Sequence, residues 1–371
     1  MTTTCTHCIL DDRDDPKISF DNKGVCNHCH KYEDDKRFFV IEGEMGKSTW
    51  AAMVDKMRGY GRKKKYDCIL GLSGGVDSSY MAYLAKKAGL RVLCVHMDNG
   101  WNSKEASANI MNIVSKLKFD LHTVVINWNE MRDLQRAYLK SGVLDLDVPA
   151  DHAIIAVGHL VAMKFRIKYM LSGFNVATES VLPENFNYDK SDSLNMLDIH
   201  RKYGDIKLKS FPVFGQKQKL LASYFYQLQS IRPLNWLDYD KRSAIEILKK
   251  ELNWEPYGQK HFENIFTRFY QGFILPQRFH IDKRKAHLSN LICSGQLSRQ
   301  QALEDLAMPI YDHEQLRSDK DYFLSKLGIT IDEFNWYMTQ PIRQHSEFAV
   351  EKPLSRFLPG RKLLKKFFSR K

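Results

Sequence analysis

The chain has 371 residues, 43% hydrophobic and 27% charged, a composition of ordinary water-soluble globular proteins and a length that suits two or three domains. No apolar run approaches the ~20 residues of a membrane span, and the start, MTTTCTHCILDDRDD, has neither the basic segment nor the apolar core of a secretory signal, so a cytoplasmic location is expected. The net charge of +12 is uneven: residues 351–371 carry eight Lys/Arg and one Glu, or +7, which leaves +5 for the remainder, and no nucleic-acid partner is expected from charge alone.

In chain order, the first feature is a pair of CxxC knuckles, CTHC (5–8) and CNHC (26–29), with seventeen residues between Cys8 and Cys26. Cys5, Cys8, Cys26 and Cys29 are predicted to hold one tetrahedral Zn²⁺. Residues 1–35 are too few to bury a core, so the metal supplies the folding energy of this module. A hairpin turn is expected at Asn22-Lys23-Gly24. Four thiolates close the coordination sphere and leave no position for a substrate. The seven cysteines are an odd number in a chain without a secretory signal, so no disulfide framework is expected. Residues 36–65 read as a helical or irregular linker. Their EGEMGKST stretch fails as a Walker A loop, because its first glycine is replaced by Ile41.

From Tyr66 the pattern alternates: strand YDCILGL, helix VDSSYMAYLAKKAG, strand RVLCVHM, helix 103–117, strand LHTVVIN, helix 129–141, helix DHAIIAVGHLVAMKFR and strand KYMLSG. This is the pattern of a doubly wound, parallel α/β sheet over residues 66–235. Ligands of such sheets sit beyond the carboxyl ends of the strands, so Ser73–Ser79, Asp98–Gly100 and Ser172–Glu179 share one edge. His96 and His122 read as packed strand histidines, and His152, next to Asp151 at a helix start, as a candidate at that edge. After residue 235 amphipathic helices follow one another (241–252, 260–273, 285–295, 298–307, 319–327), giving a helical domain over 236–345 and a basic tail over 346–371.

The chemistry centres on LSGGVDSSY (72–80). Gly74 and Gly75 let backbone N–H groups face an anion, the helix N-terminus adds roughly half a positive charge, and Ser73, Ser78 and Ser79 add hydroxyls. The loop has no lysine; Asp77 instead suggests Mg²⁺ beside a pyrophosphate. The stretch resembles the PP-loop, SGGxDS, of the ATP pyrophosphatases, whose adenine-nucleotide alpha-hydrolase-like fold hosts GMP synthetase, argininosuccinate synthetase, asparagine synthetase and tRNA thiolases. That resemblance implies ATP cleavage between the α and β phosphates, with AMP passing to a substrate oxygen. It assigns nucleotide contacts to Asp98 and a second pyrophosphate and metal loop to SGFNVATE, with Gly173, Asn175 and Glu179.

A longer set of segments (CTHCILDD…FDNKGVCNHC, LGLSGGVDSSY, VHMDNGWNS, SGFNVATE and GQKHFENIFTRFYQGFILPQRFHIDKRKAHLSNLICSGQLSRQQAL) resembles the N-acetyl sugar amidotransferases of lipopolysaccharide O-antigen and related glycan biosynthesis. The resemblance implies that an acetamido group on a nucleotide-linked sugar is adenylylated and that ammonia displaces AMP to give an acetamidine. Asp77, Ser73 and Ser78 would align and stabilise the reacting phosphates. Lys260, His261, Arg268, Lys283 and Arg284 would contact the sugar nucleotide, with Lys285 and His287 beside them. A separate glutaminase, in a pair similar to imidazole glycerol phosphate synthase, would supply the ammonia. A zinc-containing tRNA thiolase is the alternative, weakened because Cys68 and Cys94 lie in strand patterns and Cys293 in a distant helix. A zinc scaffold with a degenerate nucleotide site is a third. The basic tail, with Phe367 and Phe368 between its cations, reads as a solvated terminus or a peripheral contact with an anionic membrane.

Overall fold

A computed structural model describes residues 2–258 and 262–352. Strands β1 (Cys68–Gly71), β2 (Val92–Asp98), β3 (Asp120–Val125), β4 (Tyr169–Leu171) and β5 (Gln229–Ile231) form one parallel sheet in the order β3-β2-β1-β4-β5. The α-helices are α1 (Asn27–Phe39), α2 (Gly43–Gly61), α3 (Val76–Lys87), α4 (Lys104–Leu117), α5 (Trp128–Ser141), α6 (Val148–Lys164), α7 (Val176–Glu179) and α8 (Ser193–Tyr203). They continue as α9 (Gln216–Leu221), α10 (Lys241–Leu252), α11 (Ile265–Phe269), α12 (Leu275–Phe279), α13 (Arg284–Cys293), α14 (Arg299–Ala307), α15 (His313–Leu327) and α16 (Ile331–Thr339).

The inner strands β1, β2 and β4 are mostly apolar and buried on both faces, as a covered parallel sheet requires, whereas the edge strands β3 and β5 are more polar and exposed. Successive side chains alternate between two cores. Ile69, Leu93 and Val95 join the core built with α5, α6, α8, α11 and α15, whereas Cys68, Leu70, Val92 and Cys94 join the one built with α2, α3, α4 and α10. The two strand cysteines are therefore packed apolar groups, and burial pushes the Cys94 thiol up to about 12. The order reverses direction between β1 and β4, which start the chain's two excursions across the sheet. That switch point is where an open α/β sheet leaves a crevice at the strand ends.

Several elements differ from the sequence expectation. Most of segment 36–65 is the helix α2, whose Trp50, Val54 and Met57 are buried against the sheet, so it is part of the α/β core. Helix α6 starts at Val148, with Pro149 in its first turn, where the missing proline N–H costs no helical bond. Strand β5 and helix α8 are additional; β5 is three residues long, too short to show alternation. The expected helix 260–273 is interrupted. Asn264 caps α11 by accepting from the Thr267 N–H, and a π-helical turn, Tyr270–Ile274, leads to α12. No helix among the described residues is long and apolar enough to cross a membrane.

Candidate active site and cysteine centre

Strand β1 ends at Gly71, and the chain turns through Ser73–Gly75 into α3, whose N-cap is Gly75. Asp77 is thus in the first helical turn rather than at the cap. Gly74 sits at φ +83°, and a Cβ there would come 2.7 Å from the Ala106 carbonyl oxygen, so both conformation and space demand glycine. The Gly75 N–H donates to Ser73 Oγ at 3.2 Å, and the Ser73 and Ser78 hydroxyls are 3.2 Å apart. Ser79 is fully buried and its hydroxyl donates to the Gly75 carbonyl at 2.6 Å, so it supports the loop from behind.

The loop after β4 closes on the same turn. A Cβ on Gly173 would come 2.8–2.9 Å from the Asp77 carbonyl and the Ser78 nitrogen, an approach only glycine permits. Asn175, fully buried, caps α7 by accepting from the Thr178 N–H at 2.9 Å, while its Nδ2 reaches Gly173 O at 3.1 Å and Asp77 Oδ1 at 3.4 Å. Gly173, Thr178 and Glu179 face a cavity of about 650 Å³, which Ser73, Gly75, Asp77 and Ser78 also line. This size suits a nucleotide together with a second reactant. On the β2 side Asn99 and Asn102 line the cavity. Asp98 stands behind them, accepting from the Gly100 N–H at 2.8 Å and from Asn102 Nδ2 at 3.3 Å. His96 is also at the wall, with its ring nitrogens 3.0 Å from Leu72 O and 3.0 Å from Asn102 Nδ2. His122 is half-buried on edge strand β3, away from the cavity. His152 is fully buried, bonded to Lys190 O and to the Phe214 N–H. Burial lowers its pKa, so it is a neutral scaffold group.

The helical half contributes groups that have no short motif. Tyr239 donates to Asp77 Oδ1 at 2.5 Å, and Trp254 Nε1 donates to Gly74 O at 2.9 Å. Tyr257 and Glu263 lie 3.2 Å and 3.3 Å from where a Cβ on Gly75 would be. Burial, then the neighbouring Asp77 carboxylate, raises the Tyr239 pKa; burial, then Glu263, raises that of Tyr257, so both phenols stay protonated donors. Asn264, Thr267, Gln271 and Lys283 line the far side.

Among the sequence candidates for substrate contact, Lys283 is at the cavity. Arg268 is not: its guanidinium is paired with Asp319 at 2.6 and 2.8 Å. Arg284 also lies elsewhere, held by Asp282 and by the carbonyls of Leu306 and Met308. A run of basic residues could not show that Asp319 of α15 pairs with Arg268, or that Asp282 and the end of α14 hold Arg284. Lys260 and His261 lie outside the described residues, as does most of the basic tail.

The cysteine module is built into the molecule rather than projecting from it. Cys5, Cys8 and Cys26 are fully buried and Cys29 nearly so. Gly24, at φ +78°, makes the expected turn between the knuckles. Sγ separations are 3.9 Å for Cys5–Cys29, 3.7 Å for Cys8–Cys26 and 3.6 Å for Cys26–Cys29. A tetrahedron with Zn–S bonds of ~2.3 Å has edges of about 3.8 Å, so the four thiolates fit a zinc ion. Val176, the first residue of α7, and Val181, just after its end, pack into the same apolar cluster as these cysteines. Lys285 bonds Asp11 and Asp14 at 2.9 and 2.8 Å, and Arg299 donates to Cys8 O. Cys293, expected to be remote, is 3.7 Å from Cys29 Sγ, because α13 packs against the module.

Two family models match the chain. Residues 49–142 match NAD synthase, and residues 263–362 match the C-terminal domain of WbpG-like lipopolysaccharide (LPS) biosynthesis proteins. An uncharacterised protein of Methanocaldococcus jannaschii is 30% identical over 142 residues, 37% of this chain and 47% of that protein. The GMP synthase of a Synechococcus species is 38% identical over 82 residues, 21% of this chain and 15% of that one. The chain thus spans less than half the length of these curated relatives. A solved NH3-dependent NAD synthetase of Campylobacter jejuni is 15% identical, with a TM-score of 0.29, over 55% of this chain and 83% of the other.

Proposed function

We propose that this chain, a member of the PP-loop ATP pyrophosphatases with a WbpG-like C-terminal domain, is an ATP-dependent amidotransferase that converts an acetamido group of a nucleotide-linked sugar into an acetamidino group. One observation carries the reading. Residues of the Ser73–Ser78 turn and Glu263, Asn264, Thr267, Gln271 and Lys283 of the WbpG-like segment line a single cavity, so the part that resembles ATP-activating ligases and the part that resembles glycan biosynthesis proteins would serve one reaction site.

In this reading the acetamido carbonyl oxygen attacks the α phosphorus of ATP. The N–H groups at the start of α3 and the hydroxyls of Ser73 and Ser78 hold the departing pyrophosphate where its charge develops. Asp77 in the first turn of α3 and Glu179 at the end of α7, hard oxygen donors lining one cavity, would hold Mg²⁺, which supplies charge neutralisation to the phosphates. Tyr239 and Asn175 fix the orientation of Asp77. Ammonia, delivered by a separate glutaminase, then displaces AMP from the O-adenylyl imidate. The cysteine centre is structural: it holds α7, which carries Thr178 and Glu179, from behind.

The thiolase alternative needs a reactive thiol at the cavity. Among the described residues no cysteine lines it: Cys68 and Cys94 are in the sheet core and Cys293 is against Cys29. The test is to incubate the protein with ATP, an ammonium salt and UDP- or CMP-linked acetamido sugars. The expected products are AMP, pyrophosphate and a sugar nucleotide lighter by the difference between oxygen and NH. Formation of ADP and phosphate would rule the mechanism out.

A further inference from the structure

The cavity has a second wall whose chemistry the activation step does not use. Asp147 lies at the N-terminal end of α6, lines the cavity and is 4% exposed. Its Oδ1 accepts from Thr267 Oγ1 at 2.8 Å and its Oδ2 from Gln271 Nε2 at 3.1 Å. Both donors are neutral, so they orient the carboxylate without fixing its charge. The cations nearby serve other groups or stand at a distance. Lys190 is paired with Asp145 at 2.5 Å and with Asp151 at 3.2 Å, and Lys283 acts on Asp147 through space. The Tyr270 hydroxyl accepts from the Asp145 N–H, and Asp151, His159 and Glu263 also line the cavity. Burial, then the Asp151 carboxylate, push the Asp147 carboxyl up to about 6, with Asp145 adding to the rise and Lys190 and Lys283 opposing it. Asp147 shares the cavity with the activating loop. Thr267, which bonds it, lines that cavity together with Glu263, which lies beside Gly75 ahead of the α11 N-cap.

Amidine formation requires a proton acceptor at such a place. Carbonyl-oxygen attack on ATP leaves a cationic O-adenylyl imidate, R–NH⁺=C(OAMP)CH₃. Ammonia adds through its lone pair, forming the C–N bond and a tetrahedral carbon that bears NH₃⁺. From that state ammonia is the better leaving group, so the step reverses unless the nitrogen loses a proton. We propose that Asp147 is the base that takes this proton. The C–O bond then breaks, AMP leaves with the electron pair, and the amidinium R–NH–C(=NH₂⁺)CH₃ remains; Asp147 returns its proton to water. One ammonia enters, and one AMP and one proton leave. The role rests on the amide-activation reading above, and it separates from it because activation precedes the ammonia step.

The test uses the full chain and its Asp147→Asn and Thr267→Val variants, with UDP- and CMP-linked acetamido sugars as probes. Sugar-dependent exchange of labelled pyrophosphate into ATP, without ammonium, reads activation. Amidine formation with ammonium chloride, expressed per free ammonia, reads the second step. D147N is expected to keep exchange and to lose amidine formation by about 10²–10⁴-fold. The wild-type rate per free ammonia should fall as pH drops through about 6, and D147N should lack that limb. T267V removes a donor to the charged carboxylate, so its limb should move to higher pH. Amidine formation by D147N at the wild-type rate overturns the role. So does an unmoved limb in T267V, which decides the matter if D147N does not fold. A wild-type chain with no sugar-dependent exchange overturns the activation reading itself, and this role with it.

Discussion

Two serines six residues apart, Ser73 in the turn after β1 and Ser79 in the first turns of α3, meet different surroundings. Ser73 faces the cavity, whereas Ser79 is buried and bonded to Gly75 O. Ser73→Ala should lower the rate of pyrophosphate release by on the order of 10², the cost of one donor to a developing charge. Ser79→Ala should instead lower stability by about 1 kcal/mol, a melting shift of a few degrees at most, with smaller kinetic consequences. Steady-state kinetics and thermal melts on the two variants separate the cases. Tyr239 acts through Asp77. Tyr239→Phe removes a hydrogen bond to a charged group, worth about 1.5–3 kcal/mol, so kcat/KM for ATP should fall tenfold or more, and the deficit should narrow as magnesium is raised.

At the scale of elements, the short helix α7 depends on its neighbours. Four residues cannot hold a helix by propensity alone. Asn175 caps it, and Asn290 of α13 accepts from the Val181 N–H and donates to the Val181 carbonyl. The cysteine cluster packs on Val176 and Val181. Asn290→Ala leaves both Val181 backbone groups buried without that partner and should cost about 1–3 kcal/mol, read by denaturant unfolding. Metal analysis should find one zinc per chain. Strong chelation should lower the melting temperature and weaken ATP binding together, because the loop bearing Thr178 and Glu179 loses its backing. Retention of full ATP affinity by the metal-free chain would show that the centre does not buttress the site.

Over the whole molecule, the expected boundary at residue 235 does not divide two cores. Ala244, Leu248 and Leu252 of α10 are buried with β1, β2 and α3, and Trp254 reaches back to the Gly74 carbonyl. A chain ended after residue 235 should therefore fail to give a cooperative melt. Leu248→Ala in the full chain should cost about 2–5 kcal/mol and shift a single transition rather than split it, as calorimetry would read.

What the amino-acid order determined by itself is local. The alternation of apolar strands with helices specified a parallel sheet, and SGGVDSS was legible because its glycines, hydroxyls and acid are contiguous and must all serve one strand-to-helix turn. The four-cysteine group was legible too, since CxxC spacing presets two thiols on each knuckle. The tertiary structure alone decided contacts between distant segments. It joined Tyr239, Trp254 and Glu263 to the loop, brought Asp147 to the same cavity, and placed Cys293 beside Cys29. It also tied Arg268 and Arg284 to structural partners. A lone charged or aromatic side chain carries no local pattern; whether it supports the fold or faces a ligand depends on which helix packs against it.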